Sequence, residues 1–413
     1  MRIGIDYTSA ATQGAGIGRY TRELMRALLA TPSANTYSFF YAKRDRIDES
    51  SLQLPTSNLH HLPFHDKWLM RLWHRLQIPL PVETFVGKVD LFHSPDFTLP
   101  PTLPGVPTLL TVHDLSFVRD PDSAWPSLRA FLNTAVPRSV KRATHVLADS
   151  LATKHDLIEL FGTPAEKITV LYSGVEARFA PVRDQVEIER VCAKYDLPRP
   201  FILSVGTLQP RKNYGRLIQA FAELIKHPER SGGRPSTSLR FAHAVPQPKA
   251  GRRARRDAPA AQSKDASLHL VITGGKGWLY ESIFEQVKSL GLENRVHFPG
   301  FVDDADLPAL YSAADVFAYV SLYEGFGLPL LEAMACGTPV IASNVSSLPE
   351  VVGEVGLQVN PRDVADITRA LKAMIDQSEL RTTAIAAGLD RARTFSWEKA
   401  ARELLSIYDS MKR

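Results

Sequence analysis

Two carboxylates and a basic pair are the residues best suited to chemistry. In the stretch Glu324-Gly-Phe-Gly-Leu-Pro-Leu-Leu-Glu332, two glutamates flank a glycine-containing loop and Pro329, a residue that suits the start of a helix. Glu324 then falls in the loop and Glu332 in the first helical turn, so that both carboxylates face one crevice. Ionised carboxylates repel phosphate but accept hydrogen bonds from hydroxyls, which points to sugar or ribose. Gly325 and Gly327 let backbone N–H groups approach a ligand, and a helix N-terminus favours an anion such as a diphosphate. Upstream, Gly206-Thr-Leu-Gln-Pro-Arg211-Lys212-Asn213 combines a forked donor with a point charge, both matched to a diphosphate. Gly274-Gly275 and Pro299-Gly-Phe301-Val302 are further loops of this kind. Each follows a strand candidate. Together they outline a ligand site beyond the carboxyl ends of parallel strands.

The first half has its own candidates. Gly14-Ala-Gly16-Ile-Gly18-Arg19 follows the N-terminal strand and precedes a helix. It fails the dinucleotide fingerprint, because Arg19 stands where Gly or Ala is needed, and a plain tight turn is the alternative to a ligand loop. Thr111-Val-His113-Asp114 ends another strand; His113 is either a satisfied core residue or a group presented at the strand terminus. For metal, Asp120-Pro-Asp122 and Asp304-Ala-Asp306 match the D-x-D string only in charge-rich surroundings. His60, His61 and His65 lack zinc-site spacing and read as surface loop. No metal site is expected.

These groups need elements to hold them. Short apolar runs alternate with amphipathic stretches, the pattern of parallel α/β domains. Strand candidates in the first half are Arg2–Asp6, Tyr37–Tyr41, Val89–Phe92, Thr108–Val112, His145–Ala148 and Ile168–Leu171. In the second half they are Phe201–Val205, Leu268–Ile272, Val296–Phe298, Val316–Val320 and Pro339–Ala342. Residues 1–180 form one expected domain and 181–394 another, with a helix at 395–413 packing back on the first. Residues 230–266 are rich in Gly, Pro, Ser, Ala and Arg without apolar periodicity, and read as a disordered basic insertion. A solvated loop is favoured there over a basic arm for anionic lipid or nucleic acid. Trp68, Leu69, Leu72, Trp73 and Leu76 share one helical face, with Lys67, Arg71 and Arg75 elsewhere. Packing on its own domain is the first reading of 66–77, and peripheral membrane contact the second.

At 413 residues, the chain is long enough for two cores without staples. Its two cysteines, Cys192 and Cys336, have no metal-ligand spacing, and a reducing, cytoplasmic setting is expected. The N-terminus has no signal-peptide pattern, and no run reaches the ~18–20 apolar residues of a membrane span. The net charge of +5 suggests nucleic acid until it is localised. Residues 230–266 carry nine Lys/Arg against two Asp, a local excess of seven, so the rest of the chain is acidic by two. No nucleic-acid partner is expected.

The second half resembles the retaining glycosyltransferases of family 4, of GT-B fold, in the Arg211-Lys-Asn213 loop, the Glu324/Glu332 pair and the run G-F-G-L-P-L-L-E-A-M-A-C-G-T-P-V. The first half is similar in its glycine loop and in Tyr172-Ser-Gly174-Val175. The resemblance implies two Rossmann-like domains facing each other across a cleft. It implies that Glu324 binds donor-sugar hydroxyls and Glu332 ribose hydroxyls, and that Arg211 and Lys212 hold the diphosphate. Backbone around Phe301-Val302 meets the base, Gly325-Phe326-Gly327-Leu328 contribute to donor binding, Gly16 and Gly18 lie near the phosphates, and His113 lies near the reacting carbon. The stretches Phe92-His93-Ser94-Pro95 and Asp149-Ser150 are implied to line the acceptor side. The expected reaction moves a hexose from a nucleotide diphosphate sugar, GDP-mannose favoured, to a glycan or lipid-linked acceptor in polysaccharide or glycolipid synthesis. It needs no cofactor or metal. An epimerase or hydrolase of the same fold, or a non-catalytic sugar-nucleotide binder, are the rivals.

Overall fold

The structure, a computed structural model, describes residues 1–14, 16–43, 59–120, 122, 125–226 and 268–412. The basic segment 230–266 therefore lies outside the described residues. The chain divides into two compact units. One comprises Met1–Glu176, Glu324–Leu328 and Phe395–Arg413; the other comprises Ala177–Tyr323 and Pro329–Thr394.

The first unit is built on a parallel sheet of seven strands. These are β1 (Arg2–Asp6), β2 (Thr36–Lys43), β3 (Leu59–His65), β4 (Leu91–Ser94), β5 (Thr108–Val112), β6 (His145–Ala148) and β7 (Ile168–Val170). Their order is β3-β2-β1-β4-β5-β6-β7. Adjacent residues along each strand enter opposite layers. Phe39, Leu91, Leu109 and Leu147 pack into a core with the helix Ile17–Ala30, while Phe40, Phe92, Leu110 and Val146 pack into the core on the other face. A sheet covered on both faces explains why these strands are apolar throughout rather than alternating. The C-terminal helix Trp397–Ser410 belongs to the first of these cores through Trp397, Ala401, Leu404 and Tyr408.

The second unit has a six-stranded parallel sheet: β8 (Phe201–Val205), β9 (His269–Thr273), β10 (Val296–Gly300), β11 (Val316–Tyr319), β12 (Val340–Ser343) and β13 (Leu357–Val359), in the order β10-β9-β8-β11-β12-β13. In both sheets the first strand lies inside and the chain reverses direction beside it, between β1 and β4 and between β8 and β11. Those are the switch points where α/β sheets open a crevice for ligands.

One local reading needs correction, and two elements add to the sequence reading. His60, His61 and His65 lie in strand β3, paired with β2, and not in a surface loop. Among the described side chains of that edge strand only Leu62 is buried in the core, and the strand carries no apolar run. The three-residue edge strand β13 was too short to register. The amphipathic stretch 66–77 begins as an α-helix, Asp66–Met70, and continues as a π-helical segment, Arg71–Arg75.

Candidate functional site

In the second unit the loops after β8 and β11 are stitched together at the switch point. Leaving β8, Gly206 adopts φ +153, and a side chain there would meet Lys212 Cε at 3.1 Å. The turn Pro210–Lys212 ends at Asn213, whose left-handed φ of 60 is a conformation that asparagine tolerates. Asn213 Nδ2 donates to the carbonyls of Val320 (2.9 Å) and Pro361 (2.7 Å). Arg211 Nη1 donates to the Tyr323 carbonyl (2.9 Å), and Leu322 N–H returns a bond to the Arg211 carbonyl (2.8 Å). Lys212 Nζ donates to the Tyr319 hydroxyl (2.7 Å) and sits 4.8 Å from the centre of that ring. The basic pair is thus held against the segment that leads into the glutamate loop.

The neighbouring loops join the same edge. Gly274 (φ +146) leaves room for backbone, since a Cβ there would lie 2.2 Å from the Gly206 carbonyl oxygen. Val302 is buried, whereas Phe301 is 66% exposed. Glu332, on the helix Leu328–Ala335, is buried, and its Oε2 accepts from Tyr311 Oη at 2.8 Å. Burial, then the Glu332 charge, pushes the Cys336 thiol well above its usual range.

The segment Glu324–Leu328 belongs to the first unit. Glu324 is buried. The Phe326 ring lies against Tyr172 (6.0 Å) and Phe395 (5.9 Å), and Leu328 packs on the core that holds β1. A Cβ on Gly325 would lie 2.2 Å from the His113 carbonyl oxygen. Gly325 is therefore required by protein backbone, whereas Gly327 is required by its φ of +115.

His113 follows β5, and Asp149 follows β6. Val112 and Ala148 are register partners, so the two next residues stand side by side. His113 Nδ1 lies 2.7 Å from Asp149 Oδ2, and Nε2 lies 3.1 Å from the Pro95 carbonyl. Two acceptors facing the two ring nitrogens favour the imidazolium form. Burial opposes the charge, but the Asp149 carboxylate, through its charge and hydrogen bond, outweighs it with help from Asp96 and Pro95; the pKa rises to about 9. Edges of the Tyr20 and Phe97 rings close around it. His93 turns inward instead. It bonds Tyr408 Oη (2.7 Å) and Thr111 Oγ1 (3.2 Å), and burial lowers its pKa to about 3.

The glycine loop after β1 is folded by one guanidinium. Arg22 donates from Nη1 to the carbonyls of Ala10 (2.6 Å) and Gln13 (2.8 Å), and from Nη2 to that of Gly14 (3.1 Å). Gly18 serves this packing, since a Cβ there would lie 2.1 Å from the Gln13 carbonyl oxygen. Gly16 differs: it has φ +56 and open space where a Cβ would be. Sequence reasoning missed Arg22, Tyr311 and Tyr319. An arginine one helical turn beyond a glycine loop was the only available signal for the first, and nothing marked the tyrosines.

The D-x-D strings do not gather into a site. Asp306 is buried and bonded by Arg190 and Lys194 and by the Tyr195 hydroxyl. Burial acts against its charge, but these donors hold its pKa down at about 2. Among the described residues, no group of three His, Cys, Asp or Glu side chains is placed to hold a metal ion, and no helix is long and apolar enough to cross a membrane.

The chain matches the family described as Glycosyltransferase Family 4 over residues 14–179, and that described as Glycosyl transferases group 1 over residues 256–391. It is 30% identical to the O-antigen chain mannosyltransferase B of Escherichia coli over 404 residues, covering 95% of each chain. It is 31% identical to the serotype-specific mannosyltransferase WbdA of Escherichia coli over 75% of its own length, which is 34% of WbdA. Its fold is that of sucrose-phosphate synthase from Thermosynechococcus elongatus (TM-score 0.71, 21% identity, 100% and 99% of the two chains). It also matches Anabaena HepE in complex with UDP-glucose (TM-score 0.69, 17% identity, 100% of both chains). The doubly wound sheets, the loops gathered at their switch points and a full-length mannosyltransferase relative agree: the chain belongs to the family 4 glycosyltransferases of GT-B fold.

Proposed function

We propose that this glycosyltransferase moves a mannosyl residue from GDP-mannose to a hydroxyl of a glycan or lipid-linked acceptor. In this reading it acts with retention at the anomeric carbon and without a metal ion, working at the cytoplasmic face of a membrane through residues 66–77. The observation that supports the reading is the stitching of Arg211–Asn213 to residues 319–323, which holds two cations together at the switch-point edge of the second sheet. The mannosyltransferase relatives favour mannose. The engagement of Asp306 by Arg190 and Lys194 supports a reaction without a D-x-D-bound cation.

In this mechanism the bond from the anomeric carbon to the phosphate oxygen breaks with oxocarbenium character. Charge grows on the departing phosphate, and stabilising it is the main catalytic task, given to Arg211, Lys212 and the helix start at Leu328. Glu324 accepts from donor-sugar hydroxyls and Glu332 from ribose, with Gly325-Phe326-Gly327-Leu328 against the donor and the backbone at Phe301-Val302 against the base. Gly16 and Gly18 shape the loop near the phosphates, and His113 lies near the reacting carbon. The acceptor oxygen bonds the anomeric carbon on the face the phosphate leaves, and its proton passes to the phosphate oxygen.

The test is to incubate the purified protein with GDP-mannose, or with UDP-glucose, and an acceptor-bearing membrane extract, with and without a chelator, and to read the product linkage by NMR. A chelator-resistant α-mannosyl product is expected. Transfer from UDP-glucose alone would overturn the donor, an inverted linkage the stereochemistry, and donor consumption without acceptor the transferase reading.

A further inference from the structure

Asn213 works in two directions. Its Nδ2 clamps the carbonyls of Val320 and Pro361, and its Oδ1 accepts from Arg216 Nη1 at 2.9 Å. Arg216 stands in the first turn of the helix Tyr214–Lys226 and is half-buried. Among the described residues no carboxylate pairs with it, and Asn213 takes only one of the several N–H donors of the guanidinium. A half-buried arginine whose charge is left unbalanced calls for an anion.

Arg216 lines a cavity of about 330 Å³, at the lower end of the range for small-molecule sites. A second helix, Glu281–Ser289, reaches the same cavity with its first turn, through Ser282 and Ile283. Gln209, Gln219 and Gln286 add three carboxamides, and among the described residues no carboxylate lines the cavity. Glu281, in the same turn as Ser282, is exposed and outside the lining. Leu279, 57% exposed, gives one wall an apolar rim. Gln286 is fixed in place: its Nε2 donates to the Gly215 carbonyl at 3.0 Å, and a Cβ on Gly215 would lie 2.8 Å from its Oε1. That Oε1 has no donor among the described residues and can accept from a ligand hydroxyl.

We propose that this cavity binds a small phosphorylated sugar, at a site distinct from the diphosphate cradle and coupled to it through Asn213. The first turns of two helices bring partial positive charge to the cavity, and Arg216 adds a full charge with no acid in the lining to offset it. The guanidinium fork matches a phosphate group. Carboxamides both donate to and accept from hydroxyls, which suits the sugar. A ligand on Arg216 acts on the Oδ1 side of the residue whose Nδ2 holds Val320 and Pro361, and so on the turn that carries Arg211 and Lys212. The coupling rests on the proposed role of that turn in holding a diphosphate; the cavity and its ligand do not.

The experiment is titration calorimetry of the full chain with glucose 6-phosphate and with inorganic phosphate, after the donor site has been filled with GDP or UDP. Wild type is expected to bind glucose 6-phosphate, and more tightly than inorganic phosphate. Arg216→Gln is expected to weaken that binding by roughly 10- to 100-fold, the range for a hydrogen bond to a charged group. Because Arg216→Gln also frees Asn213, a second variant is needed. Gln219→Glu, at an exposed position, sets a carboxylate against the phosphate and is expected to weaken binding with the fold intact. Lys212→Ala is expected to retain it. No binding by wild type, or equal affinity for the two ligands, would overturn the proposal. Loss in Lys212→Ala with retention in both cavity variants would overturn it too, and assign the phosphate to the cradle. Glucose 6-phosphate is expected to change nucleotide affinity by about fivefold or more, and the nucleotide its own affinity by the same factor; unchanged affinities would remove the coupling. If neither nucleotide binds, the donor reading fails, whereas glucose 6-phosphate binding that Gln219→Glu abolishes still establishes the cavity.

Discussion

Replacing Asp149 with asparagine tests whether His113 is a buried imidazolium. In the wild type the Asp149 carboxylate faces Nδ1 and the Pro95 carbonyl faces Nε2. Burial opposes the ring's charge, and Asp149 outweighs it, with Asp96 acting in the same direction. Burial also raises the pKa of Asp149, against the pull of His113, with Asp114 adding to the rise, so the pair holds its proton tightly. The folded-state pKa of about 9 lies above the ordinary 6.5. A raised histidine pKa stabilises fully below the unfolded value, and that stability disappears as pH rises through the folded one. The window is therefore pH 6.5 to 9, and the loss across it is about 3 kcal/mol, at ~1.4 kcal/mol for each tenfold change in proton binding. For a unit of about 200 residues, this lowers the melting temperature by roughly 6–12 °C. In Asp149→Asn the desolvation remains while the carboxylate is gone, so the ring is neutral throughout this window and the slope vanishes. Thermal unfolding from pH 6 to 10, read beside the NMR titration of His113, decides the matter. A wild-type His113 that titrates at or below 6.5, or equal pH slopes in the two proteins, would refute the argument.

Three further substitutions test the loops. Gly325→Ala puts a methyl group 2.2 Å from the His113 carbonyl oxygen, so the loop must move by about 1 Å, enough to cost roughly 100-fold in kcat/KM without loss of fold; wild-type turnover with an unmoved loop would contradict the packing. Arg22→Ala releases the carbonyls of Ala10, Gln13 and Gly14 and is expected to destabilise by roughly 1–3 kcal/mol in urea unfolding, with part restored by lysine. An unchanged urea midpoint would show that the carbonyls do not need the clamp. Lys212→Ala removes a cation assigned to the diphosphate and is expected to slow transfer by about 30- to 4,000-fold, the equivalent of roughly 2–5 kcal/mol. Near-normal turnover would remove Lys212 from the mechanism.

The limits of β1, β5, β6 and β8 can be read from the sequence to the residue, because each is a buried apolar run ended by a charged, polar or glycine residue. Edge strands gave no such contrast: four of the seven residues of β3 are histidine or proline, and β13 has three residues. The pairing of Arg211–Asn213 with 319–323 follows from β8 lying beside β11, which is a property of strand order and not of either motif. His113 and Asp149 become neighbours through the register of β5 and β6. That pairing was within reach once both strand ends were known. The contact of Gly325 with His113 was not, because it depends on how a loop distant in sequence approaches β5. Arg22 was hidden for another reason: on the helix pattern it is an ordinary polar position, and only the folded loop gives it three carbonyls.

The two glycine-bearing edges share one physical device. The peptide unit is planar and trans, so its N–H and C=O point in opposite directions. A carbonyl tied back to the body of the domain therefore turns the N–H of the same peptide outward. After β1, Arg22 ties back three carbonyls of the glycine loop. After β8 and β11, Arg211 takes the carbonyl of Tyr323, Asn213 those of Val320 and Pro361, and the Tyr214 hydroxyl that of Gly206. Ser343 Oγ does the same for the Ser321 carbonyl. Basic and amide side chains are therefore used first to orient backbone, before any meets a ligand. Lysine is therefore expected to replace an arginine at such a loop only in part. An ammonium can neutralise a phosphate, but it lacks the planar fork that holds several carbonyls at once.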